Sequence, residues 1–183
     1  MYTCIRGPWR VTLGAMAKSR RGAAAGNGGG SARGPSAASA AEARRAALAE
    51  VLAVYAELEK RPAERSCTLR TECCQFRLTG RTPMVTAGEA EVAARGVRAS
   101  GRRSVEARPD GACPLLHPRT GRCMAYAARP FGCRTHFCEA AGGPRDRSSV
   151  LDLIRRLERA DEMLDGCGPR PFPAALQEAL EQA

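Results

Sequence analysis

Between Ala37 and Lys60 the chain reads AASAAEARRAALAEVLAVYAELEK, with Leu48, Val51, Leu52, Tyr55 and Leu58 recurring at helical spacing. Ala, Glu and Arg favour a helix here, and Pro62 ends it. TPMVTAGEAEVAARGV predicts a second helix, with Thr86 as N-cap and Glu89 three residues later completing a capping box. A third helix starts at Ser149 with Asp152. It carries Val150, Leu153, Ile154, Leu157, Ala160 and Leu164 on one face and stops at Gly166. FPAALQEALEQA predicts a short final helix. Between these helices the periodicity lapses. Residues 67–78 and 100–110 read as loops, the latter with room for a short strand. Two apolar runs flanking His117 to Gly121 predict a small hairpin over 112–126, with Gly121 at positive φ in its turn. AARPFGCRTHFC reads as irregular chain or a single helical turn, and GGPRDRSS as a linker. The expected fold is mostly α with a small β-hairpin: three or four helices around a cysteine-rich, metal-organised loop centre.

Composition divides the chain. Residues 1–37 are rich in Ala, Gly, Ser and Arg, contain no acid and show no apolar period, which predicts a disordered basic tail. Met16 offers an alternative start to Met1. VTLGAMA is too short and weak for a signal-peptide core, and no run approaches the ~20 apolar residues of a membrane span. The expectation is therefore a cytoplasmic protein in a reducing compartment, where cysteines serve as ligands more than as disulfides. Residues 38–183 are expected to form one domain, with a cysteine-cluster core at 67–138 and C-terminal helices at 148–182. Hydrophobic residues make up 44%, but Ala carries much of that and aromatics only 4%, so burial alone stabilises weakly.

The net charge is +10, and residues 65–138 carry thirteen basic and five acidic residues. Such a balance ordinarily suggests a polyanion partner. The aromatics do not interleave with the basic residues and no nucleic-acid-reading motif is present, so nucleic acid is not an expected partner. The seven cysteines of the same region supply another reason for arginine, since thiolates need compensating charge.

Those cysteines are Cys67, Cys73, Cys74, Cys113, Cys123, Cys133 and Cys138, set beside Gly, Pro and Arg in loops. Zinc and iron–sulfur clusters both take about four thiolates, and loops supply the freedom to converge them. Arg134, next to Cys133, favours its thiolate. There is no CxxC pair; the gaps are five, none, 38, nine, nine and four residues. Adjacent Cys73 and Cys74 point apart, which favours two metals, a cluster with ligands on different irons, or one of the pair standing behind a ligand. Cys4 and Cys167 are expected to be free thiols. No glycine-rich phosphate loop is present, and two histidines give little support to a Ser-His-Asp arrangement.

The strings CTLRTECC (67–74), VTAGEAE (85–91), GACPLL (111–116), GRCMAY (121–126) and RPFGCRTHFC (129–138) resemble the CxxCxxCC cysteine-cluster proteins, the YkgJ-like family of zinc- or iron-chelating domains. The resemblance implies eight cysteine ligands, seven of which fall on the cysteines just named. The eighth position holds Arg70, which cannot ligate a metal. Either a ligand is lost, or His136 replaces it, or a coordination position stays open; His117 is a weaker substitute. Arg129, Pro130 and Arg134 also match the family. They read either as charge balance and a fixed turn, or as an anion site beside the metal. Tyr126 reads as a core residue with its hydroxyl tied to a loop carbonyl.

The leading expectation is a metal-binding protein holding zinc or an iron–sulfur cluster. Two rivals stay open. The family resembles a domain of flagellin lysine methylases and is sometimes called an oxidoreductase, which would make the chain an enzyme, though no methyl-donor, nucleotide or flavin site is visible. A structural zinc module presenting its helices to a protein partner is the other.

Overall fold

The computed structural model describes residues 36–62 and 70–182. Most of the expected tail, at 1–35, lies outside them, as do Cys4 and Cys67. Ser36 and Ala37 do not belong to the tail: the Ser36 hydroxyl caps the first helix by accepting from Ser39 N–H.

The four expected helices form. They are α1 (Ala37–Lys60), α3 (Ala87–Ala99), α5 (Leu151–Glu162, entered through a 3-10 turn at Ser148–Val150) and α6 (Phe172–Glu181). Two short helices, α2 (Phe76–Thr79) and α4 (Phe131–Thr135), lie in the cysteine-rich stretch. The periodic face of α1 is corrected at one position. Leu52 is 53% exposed, and Val54 is buried in its place. In α5, Val150, Leu153, Leu157 and Ala160 are buried while Ile154 and Leu164 are only partly so.

The hairpin expected over 112–126 reduces to one antiparallel bridge, Leu116 to Cys123, closed by Gly121 at φ +64. The sheet instead pairs β1 (Met84–Val85) with β2 (Arg170–Pro171), antiparallel. Proline at 171 and the short strands leave room for little more. Phe172 N–H donates to the Pro83 carbonyl (2.9 Å), seating the start of α6 beside β1.

Helix α3 stands between two cores. One face packs with α1 and α5 around Val51, Tyr55, Val92, Phe131, Leu153 and Leu157. The other packs Ala93 and Val97 against Leu115, Phe172 and Leu176, and takes in Cys74, Cys113 and Cys123. Thr86 and Glu89 form the expected capping box. Asp161 ties the layers together, accepting from Ala87 N–H (2.7 Å) and Gly168 N–H (2.9 Å).

Gly96 allows the close approach of α3 to the turn at Tyr126–Ala128: a Cβ there would stand 2.3 Å from the Ala128 Cβ. Helix propensity alone would make Gly96→Ala stabilising by about 1 kcal/mol. We expect the opposite sign, a loss of about 1–3 kcal/mol from overpacking, read by urea denaturation. A gain in stability would show that the turn can move away freely. Among the described residues, no helix is long and apolar enough to cross a membrane.

Candidate metal centre

Each cysteine reaches its place through a local device. Cys73 and Cys74 end a 3-10 turn, Glu72–Cys74, entered from Thr71 at φ 62, a conformation L-residues seldom adopt. Cys113 N–H donates to the Cys74 carbonyl (2.8 Å), so the two segments lie side by side. Cys123 stands opposite Leu116 in the isolated bridge. Cys133 lies in α4, whose N-terminus is fixed from α3: Phe131 N–H donates to Glu89 Oε1 (2.8 Å). Cys138 is buried just beyond α4.

Cys73, Cys74, Cys113, Cys123 and Cys133 line one cavity of about 270 Å³, together with His136. The Cys73 and Cys74 sulfurs are 4.0 Å apart. Among the described residues, however, no three His, Cys, Asp or Glu side chains are grouped so as to hold a metal ion. The metal-organised centre expected from sequence is thus not displayed as such.

The ionisation of the cysteine thiols follows from their packing. Burial pushes the Cys113 thiol up to about 12. Burial also raises Cys133, with the neighbouring Cys113, Cys123 and Cys73 adding to the rise and Arg129 opposing it. Cys73 is raised by its hydrogen bond with Cys74 and then by burial. Each of these thiols needs a cation to ionise, and a bound metal is one. His136 is lowered by burial and by Arg81, against Glu139, so its imidazole is neutral at neutral pH. A set of thiols with one neutral imidazole fits the chemistry of zinc or iron.

The other candidates separate clearly. His117 Nδ1 accepts from Arg119 N–H (3.3 Å) and Thr120 N–H (3.2 Å), so this imidazole shapes the turn. Arg70 is exposed and pairs with Glu72 at 3.2 Å. Tyr126 is 48% exposed, not core, and its ring lies under the Arg129 guanidinium at 3.9 Å. Cys167, expected as a free thiol, is disulfide-bonded.

Arg134 and Arg129, alike in sequence, differ in role. Arg134 is buried and its donors are spent on the Arg129 carbonyl (2.9 Å), Glu59 (2.6 Å) and the Ala127 carbonyl, while it stacks on Tyr55. Arg129 lines the cavity, and its Nε–H is buried without a partner among the described residues. Sequence reasoning missed Glu89 beyond its capping role. Its second carboxylate oxygen reaches Phe131 and Tyr55, and no local signal announces a contact 42 residues away.

No curated protein and no solved structure gives a significant match to the chain. Residues 64–154, the segment that carries all the cysteines of the cavity, match the family model CxxCxxCC, described as "Putative zinc- or iron-chelating domain". Residues 64–154 therefore form a CxxCxxCC-family domain within the chain.

Proposed function

We propose that this protein binds zinc or an iron–sulfur cluster through Cys73, Cys74, Cys113, Cys123, Cys133 and Cys138, joined by Cys67 and by His136 in the position left by Arg70. The observation that carries the reading is that five cysteines and His136, drawn from three separated segments, line the same cavity. Family membership supports the metal class. His136 is favoured over a restored cysteine at 70 because it lines the cavity, whereas Arg70 is exposed and paired with Glu72. When bound, the metal supplies the positive charge that lets these buried thiols ionise.

Metal analysis of protein purified without oxygen tests the reading. Absorbance near roughly 400 nm with iron and sulfide indicates a cluster, and a colourless protein with stoichiometric zinc indicates the ion. His136→Ala is expected to lower metal stoichiometry by about half or more, and Arg70→Cys to leave it unchanged, since loss of even a supporting contact costs about 10–100-fold in affinity. Full occupancy in His136→Ala removes His136 from the ligand set.

A further inference from the structure

The cavity has a feature that thiols and a metal leave unused. Arg81, Arg129 and His136 line it, and no Asp or Glu does so among the described residues. The Arg129 guanidinium is pre-oriented. Its ring partner Tyr126 lies flat beneath it at 3.9 Å, its backbone N–H donates to the Tyr126 carbonyl (3.3 Å), and its own carbonyl accepts from Arg134 Nε (2.9 Å). Its Nε–H is nevertheless buried with no acceptor among the described residues. A buried donor without a partner costs about 1–3 kcal/mol, and guanidinium is shaped to meet a carboxylate with two parallel bonds. Phe76, Pro83, Leu115 and Phe172 give the cavity an apolar wall, beside Thr71, Thr82 and Thr135.

We propose that this cavity binds a small organic carboxylate with an apolar body, anchored by Arg129. The carboxylate takes the unsatisfied edge of the guanidinium, and the apolar body lies along Phe76, Leu115 and Phe172. Arg81, which lines the same cavity, adds positive charge. The site shares its cavity with the metal centre proposed above, but the Arg129 anchor does not require a metal.

Calorimetric titration of the full chain with benzoate and its neutral isostere benzamide tests the assignment, with metal content measured on every sample. Benzoate is expected to bind saturably, and benzamide about tenfold or more weakly. Arg129→Gln is expected to weaken benzoate about tenfold or more while metal content stays at the wild-type level. Arg129→Lys, which keeps the charge but loses the fork, is expected to fall between; it replaces the glutamine variant if that fails to fold. Equal binding of benzoate and benzamide, or no change in either variant, overturns the proposal. Loss of metal in step with benzoate also overturns it, because Arg129 would then serve the thiolates. Absence of metal from wild-type protein that still binds benzoate leaves this site standing and removes the metal reading.

Discussion

Replacing Glu89 by alanine is expected to cost on the order of 3 kcal/mol or more in folding stability. The carboxylate is fully buried at the N-terminus of α3 and is met by four donors. Thr86 N–H (3.0 Å) and Thr86 Oγ (3.1 Å) donate to Oε2; Phe131 N–H (2.8 Å) and Tyr55 Oη (3.4 Å) donate to Oε1. Alanine leaves the two backbone donors buried and unpaired, at about 1–3 kcal/mol each, and opens a cavity where α1, α3 and α4 meet. Urea denaturation checks the size, and a change below about 1 kcal/mol would show that water replaces the carboxylate. Glu89→Gln isolates the charge. Burial raises the Glu89 carboxyl despite its four donors. The sign follows: a carboxyl raised in the folded state contributes stability that is fully present below its unfolded value and is lost as pH rises through the folded one. The stability of the wild type relative to Glu89→Gln is therefore expected to fall as pH is raised from about 4 to about 8. A flat difference would mean that the carboxyl titrates as it does in the unfolded chain.

Helix α1, the Thr86–Glu89 capping box and α5 were legible because each is a local pattern: a 3.6 period, a three-residue spacing, a capped apolar stripe. What failed was not local. Leu52 and Val54 both fit an apolar stripe on α1, and only the placement of α3 and α5 decides which is buried. The sheet joins Met84 to Pro171 across 87 residues, beyond any hairpin signal. Arg129 and Arg134 flank Cys133 and read identically, yet one is spent on Glu59 and two carbonyls and the other keeps a donor. The cysteines were identifiable by type and density. Their meeting at one cavity depends on the Cys113-to-Cys74 backbone bond and on the hold of Glu89 over α4.

The division between the two cores makes the response to metal removal specific. If zinc or a cluster is bound as proposed, stripping it with a strong chelator is expected to lower the melting temperature by about 10 °C or more. Free energies of structural zinc binding reach about 10 kcal/mol, and about 1 kcal/mol shifts a chain of this size by about 2–4 °C. The loss should be unequal across the molecule. Cys113 is part of the core formed by α3, α6 and the 112–125 segment, with Cys74 and Cys123 packed against it. The core between α1 and α5 contains no cysteine among the described residues. Without metal, the Cys113 thiol of the first core and the Cys133 thiol that shares its cavity stay neutral, because burial holds Cys113 at about 12 and raises Cys133. They then lose the bonds that would tie the Cys74, Cys123 and Cys133 segments together. Amide exchange should accelerate in α6 and around Leu115, and change little at Val51, Val54 and Leu153. Readdition of the metal should reverse both effects. Unchanged exchange in α6 after verified removal would show that the cysteines do not organise this core, whatever they bind.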